Sequence, residues 1–237
     1  MDANPDLERR IAAIAALDQP LRRDLYRLLA GASGWTTRDD AAAALGVPRS
    51  VAAFHLDKLV DAGVVEVRFE RVGGRTGPGA GRPSKLYRPS RDEVGASVPD
   101  RHYDLAGSLL ASAVAASAST GAPVRDCLRD AARTAGRQVG EAARAAGEMT
   151  PGGDHGGDII SVLERHGYEP MIDARQEIAL ANCPFHRLAE EHRDLVCGMN
   201  LDFLDAMLEG IEPDEHLTAR LDPAPGHCCV RIAPDTR

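Results

Sequence analysis

No apolar run in this sequence approaches the length of a membrane span, and its first ten residues, MDANPDLERR, have no signal-peptide pattern. Both absences point to a cytoplasmic chain with no membrane partner. Its five cysteines are then expected to be reduced, and a cluster of them suggests metal or redox chemistry rather than structural disulfides. No internal repeat is present. No Cys-x2-Cys pair occurs either, so the cysteines do not read as a zinc ribbon. A nucleophile at Cys183 or Cys197 with His186 as base is the enzyme reading, but no oxyanion or base arrangement is legible, and the chain is not expected to be an enzyme.

At 237 residues with 43% hydrophobic content, the chain can fill two modest domains. Its formal charge of −8 argues by itself against a nucleic-acid partner. The charge is uneven, however. Residues 1–91 hold 15 Lys+Arg against 11 Asp+Glu, a net of +4, whereas residues 92–237 hold 13 against 25, a net of −12. One basic and one acidic domain are implied.

The basic part is organised around Thr36–Pro89. In TTRDDAAAALG, Thr36 or Thr37 can cap a helix, Asp39 and Asp40 suit its first turn, and Gly46 ends it. The segment PRSVAAFHLDKLVDAG begins on Pro48 and stops at Gly63. Ala52, Leu56, Leu59, Val60 and Gly63 share its inner face, while Ser50, Phe54, Asp57 and Lys58 point outward with Val51 and His55 on the flanks. A phenylalanine exposed beside serine, histidine and lysine suits a helix lying in a DNA major groove, where an apolar side chain meets a thymine methyl. Arg49, Ser50, Phe54, His55 and Lys58 are the expected groove contacts.

A wing follows. VVEVRFERV alternates like a half-buried strand, KLYR can return beside it, and the glycine-rich GGRTGPGAGRP joins them. From Arg68 to Arg91 there are seven basic residues and one acid, Glu70. Thr36, Thr37, Arg75, Arg82 and Lys85 are the expected phosphate or minor-groove contacts; a solvated basic hairpin is the bland alternative.

Upstream, Asp6–Leu17 and Pro20–Leu29 read as amphipathic helices whose stripe of Ile11, Ile14, Leu17, Leu21, Leu25, Leu28 and Leu29 supports the reading helix. Downstream, Asp100–Ser119 and Pro123–Gly147 read as helices rich in small residues, suited to close approach within the chain or across a dimer. Cys127 lies among them as a small buried hydrophobe. Asp158–His166 should be helical, and Glu169–Asp173 with Glu177–Ala181 a strand hairpin. The expected architecture is α+β: a winged helix-turn-helix domain (1–90), a helical linker or dimerisation segment (91–148) and a cysteine-containing α+β sensor domain (149–237).

Cys183, Cys197, Cys228 and Cys229 fall within 47 residues, with His186, His192 and His227 among them. Such donors suit a soft transition metal or an iron–sulfur cluster. Were Pro184–Cys197 one helix, Cys183 and Cys197 would stand roughly 20 Å apart at about 1.5 Å rise per residue, so joint ligation requires a break, expected within Glu191–Asp194. Neighbours on a strand face opposite sides, which favours Cys228 as the ligand and leaves Cys229 to the core. Inert buried cysteines, bound zinc, a metal-free thiol switch and a small organic effector pocket are the alternatives.

HLDKLVDAGVV followed by GRTGPGAGRPSKLYR resembles the winged helix-turn-helix of ArsR-type bacterial regulators, and more narrowly the SufR iron–sulfur branch. That resemblance implies three cysteine ligands with the last after a glycine-containing turn, matching Cys183, Cys197 and Cys228 of Gly226-His227-Cys228. It implies a [4Fe–4S] cluster. Three thiolates leave a fourth position for a histidine, a carboxylate or a small ligand, with His186 or Cys229 as the candidate side chains. A homodimer joined through the small-residue helices would match a palindromic double-stranded operator.

Overall fold

Two separate cores organise the chain, one within Met1–Ala96 and one within Ser97–Arg237. The computed structural model describes residues 5–70, 83–91, 93–148, 155–211, 217–224 and 227–234. The fold class is α+β, helices with two small antiparallel sheets.

In the first unit, α1 (Pro5–Ala16) and α2 (Pro20–Gly31) precede the strand β1 (Thr36–Thr37), α3 (Arg38–Leu45) and α4 (Arg49–Asp61). The Gln19 side chain caps α2 by accepting the Arg22 N–H at 2.7 Å. Leu25 and Leu29 are fully buried, but Ile11 and Ile14 are each more than two-fifths exposed. The expected stripe is thus corrected in α1: Ala13 is the buried residue of that helix, with Leu17 just after it packed against the core. Gly46 takes the left-handed φ of 64° that ends α3, and after Val47 and Pro48 the chain enters α4. Ala52, Leu56 and Leu59, at i, i+4 and i+7, are buried. Each such leucine contributes about 1.5–3 kcal/mol by leaving water.

The wing strands β2 (Val65–Glu70) and β3 (Ser84–Pro89) pair antiparallel, and β1 adds to the other edge of β3, giving the order β1-β3-β2. Thr36 is therefore a strand residue opposite Tyr87, and Thr37 alone caps α3.

The second unit holds α5 (Tyr103–Thr120), α6 (Val124–Ala145), α7 (His155–Arg165), β4 (Pro170–Ile172), β5 (Ile178–Leu180), α8 (His186–Glu191), α9 (Arg193–Ile211), β6 (Leu217–Leu221) and β7 (Val230–Pro234). The strands form one antiparallel sheet in the order β4-β5-β7-β6. The core helix is α9, which buries Val196, Met199, Phe203, Leu204 and Met207. The small residues of α6 have a partner within the chain. A Cβ at Gly136 would overlap the Phe203 carbonyl, and one at Gly140 the Met207 carbonyl. Glycine lets these two helix backbones meet, with Gly210 of α9 supplying the matching gap. Among the described residues no helix is long and apolar enough to cross a membrane.

Candidate nucleic-acid interface and cysteine pocket

On α4, Arg49, Ser50, Phe54 and Lys58 lie on the exposed face, and the Phe54 ring is 58% exposed. Arg49 pairs with Asp39 of α3, and Lys58 approaches Asp61 at 3.4 Å. His55 is different. Its Nδ1 is buried and finds no hydrogen-bond partner among the described residues, and burial, helped by Arg22, holds the imidazole below its ordinary pKa. The ring packs edge-on against Phe54 at 5.2 Å. His55, expected on the flank of the reading face, is a half-buried ring that backs Phe54.

Lys85 has a partner within the domain. Its ammonium lies 2.7 Å from the Asp57 carboxylate, which also accepts the Tyr87 hydroxyl at 3.0 Å. Asp57 is therefore a brace between the reading helix and the wing. Burial first, then Asp57, pushes the Tyr87 phenol well above its usual range. Thr37 accepts the Asp40 N–H at 3.1 Å and donates to its carboxylate at 2.7 Å. Arg75 and Arg82 lie outside the described residues.

One wing feature escaped the sequence reading. The Arg68 and Arg88 guanidiniums lie 4.5 and 4.4 Å from the centre of the Trp35 ring, a cation–π arrangement that fixes two wing cations. Arg88 also donates twice to Glu66, at 2.7 and 2.9 Å, and these bonds hold the Glu66 carboxyl below its ordinary range.

In the second unit, Cys183, Cys197, Cys228 and Cys229 all line one cavity of about 650 Å³. The chain between the first two breaks at His192, whose φ of −131° and ψ of 49° separate α8 from α9. That break brings Cys183, before α8, within electrostatic reach of Cys197 in the first turns of α9. The four thiols influence one another's ionisation, most strongly Cys183 with Cys228 and Cys197 with Cys229. Among the described residues no three His, Cys, Asp or Glu side chains are gathered as a ready ligand set for one metal ion.

The assignment of Cys229 to the core is corrected. Cys228 and Cys229 precede β7 in irregular chain, so strand alternation does not apply, and both reach the cavity. His186 is exposed, with its ring 3.3 Å from Glu190, and His227 sits exposed on the rim. His192 is exposed at the break.

The pocket has an electrostatic gradient. Cys228 lowers the Cys183 thiol, assisted by the Phe185 N–H and by Arg101. Burial and Cys229 push Cys197 up to about 12. Cys183, together with burial, pushes Cys228 far above the ordinary thiol range.

A polar frame invisible at the sequence level holds these groups. Asn200, buried in α9, donates to the Cys228 sulfur at 3.3 Å and accepts from the Tyr168 hydroxyl. Asn182 donates to the Asp100 and Gly167 carbonyls at 3.0 and 2.6 Å and accepts from Arg101. The available signals were an asparagine inside the apolar run VCGMNLDFL and another directly before Cys183.

Residues 17–68, from the end of α1 through most of β2, match the family model of a helix-turn-helix domain of the ArsR-like kind. No curated protein and no solved structure matches the chain. The N-terminal unit is a helix-turn-helix domain, and the chain is a DNA-binding transcriptional regulator.

Proposed function

We propose that this regulator responds to redox or iron–sulfur status through a cluster, [4Fe–4S] by the family resemblance, held in the cysteine pocket. The observation that carries the reading is the convergence of four sulfurs, 46 positions apart at the extremes of the sequence, on one cavity. The donor set fits: thiolates are the ligands such clusters take. Cys183, Cys197 and Cys228 would hold it, and Cys229, beside Cys197, is a better fourth donor than the exposed His186. When bound, the cluster supplies an oxidant-sensitive centre.

The chain's own part is positional. Asn200 orients Cys228, Asn182 and Arg101 fix the loop that carries Cys183, and the His192 break presents Cys197. A homodimer would match a two-fold symmetric operator. A coupling of about 1–3 kcal/mol between pocket and reading helix corresponds to a 5–150-fold change in operator affinity.

The cavity volume favours one other reading. Small-molecule sites span about 300–1,000 Å³, and with Arg101 and Arg193 on its wall the pocket suits an anionic organic effector. Iron and acid-labile sulfide analysis of anaerobically prepared protein distinguishes the two. Both elements with visible absorption support the cluster; a colourless, iron-free sample removes it.

A further inference from the structure

The sequence has four phenylalanines, and they divide evenly. Phe185 and Phe203 are 1% exposed in the core of the second unit, whereas Phe54 and Phe69, both in the first, are 58% and 64% exposed. Phe54 lies on the reading helix, and Phe69 is near the end of the wing strand β2. Single exposed apolar side chains are common. The place of Phe69 in the sheet gives this one a meaning.

The ladder pairs Phe69 with Lys85 and Val67 with Tyr87, and partners across a ladder share one face of the sheet. That face lies against α4, because the Lys85 ammonium and the Tyr87 hydroxyl both reach the Asp57 carboxylate. Arg68 is on the other face, over the Trp35 ring. Asp57 stands three residues beyond Phe54 and is its neighbour on the helix surface. A path thus runs Phe54, Asp57, Lys85, Phe69. The two exposed rings flank one ion pair at the corner between reading helix and wing.

We propose that Phe69 is a specificity-determining residue that makes an apolar contact with the operator minor groove, beside the base pairs α4 reads. With α4 in the major groove, a side chain carried past its edge on the wing comes to the neighbouring minor groove. The contact is apolar because Lys85 and Asp57 satisfy each other's charge and leave the ring to be presented. In the minor groove, G·C differs from A·T by the guanine 2-amino group. A phenyl ring seated there is displaced by that group and offers it no carbonyl or carboxylate to bond. Phe69 therefore favours pairs that lack the amino group at the flanking position, and a readily opened TA step suits it best. The inference rests on α4 as the reading helix and not on the cysteine pocket.

The test uses the full chain, with wild type and variants prepared side by side in one redox state, on an operator selected from random duplexes. Fluorescence anisotropy compares three pairs at the positions flanking the half-site: A·T, G·C and inosine·C, which keeps the major-groove face of G·C but lacks the 2-amino group. Wild type should bind A·T and inosine·C alike and G·C roughly fivefold more weakly. Phe69→Ala should bind all three alike, near the weaker level, with an unchanged slope of log affinity against log salt. Phe69→Leu should keep most of the discrimination. Since the ring is exposed, Phe69→Ala should leave the urea midpoint of the first unit in place, which separates contact from folding. A wild type blind to the amino group, or a Phe69→Ala chain that still prefers inosine·C to G·C, would overturn the proposal. Phe54→Ala should lose preference within the half-site and keep the flanking discrimination. No loss within the half-site would remove α4 as the reading helix, a result read apart from that of Phe69.

Discussion

The carboxylate of Asp57, on the reading helix, receives the Lys85 ammonium of the wing strand at 2.7 Å, and the buried Tyr87 hydroxyl shares the same oxygen at 3.0 Å. A charge that the sequence placed toward DNA is spent inside the domain. The ion pair is partly exposed and contributes little, about 0–1 kcal/mol. The larger effect of losing Asp57 is an orphaned, buried phenol. Asp57→Ala should destabilise the first unit by about 1–3 kcal/mol, and Lys85→Ala by less. Urea unfolding followed through the fluorescence of Trp35, the sequence's one tryptophan, measures both. Equal losses would assign the stability to the ion pair instead.

Phe54 and Arg49 should fail differently. Phe54→Ala removes an exposed apolar ring; it should weaken specific operator binding by about 1 kcal/mol, roughly fivefold, with no change in salt dependence. Arg49→Ala removes a charged groove contact and should weaken specific binding by about 1–3 kcal/mol while also lowering the slope of log affinity against log salt. Fluorescence anisotropy on an operator selected from random duplexes, across a salt series, separates the two.

Glycine substitutions on neighbouring helices should have opposite signs. Gly136→Ala drives a methyl into the Phe203 carbonyl and should destabilise the second unit by about 1–3 kcal/mol. Gly107 on α5 has nothing within 4 Å of the added carbon, so Gly107→Ala should stabilise by about 0.5–1 kcal/mol. Urea midpoints by far-ultraviolet circular dichroism test both signs.

The pocket's thiols should react in a fixed order. Alkylation requires the thiolate. Cys183 is held below the ordinary thiol range by Cys228, whereas Cys197 is pushed up to about 12. In reduced, metal-free protein at pH 7, iodoacetamide should modify Cys183 ahead of Cys197, and the rate–pH midpoint of Cys183 should lie below that of a free cysteine. Cys228→Ala removes that neighbour and should move the midpoint upward. Peptide mass spectrometry at timed quenches gives each rate.

Much of this fold was legible because caps and stops are local. Thr37, Gly46, Pro48 and Gly63 delimit α3 and α4 through backbone requirements that act within a few residues. The strand β1 was not legible, since two residues carry no period and Thr36 lies on it only because β3 offers an edge. The small residues of α6 announced a close helix contact but not its partner; Phe203 and Met207 of α9 become that partner only through tertiary packing. In the pocket, the need for a break between Cys183 and Cys197 followed from helix rise alone, and it falls at His192. The role of Cys229 did not follow, because the premise of a strand was wrong for both cysteines: β7 begins at Val230. Asn200 and Tyr168 were hidden for a related reason, as buried hydrogen bonds over long separations leave no pattern in the chain.

The central claim joins the cysteine pocket to DNA binding, and operator titration of one anaerobic preparation before and after air exposure tests it most directly. The account predicts that affinity changes by at least several-fold in the wild-type protein and that Cys183→Ser abolishes the change. Superimposable wild-type curves, from a sample shown to have lost its iron and sulfide between them, would contradict it.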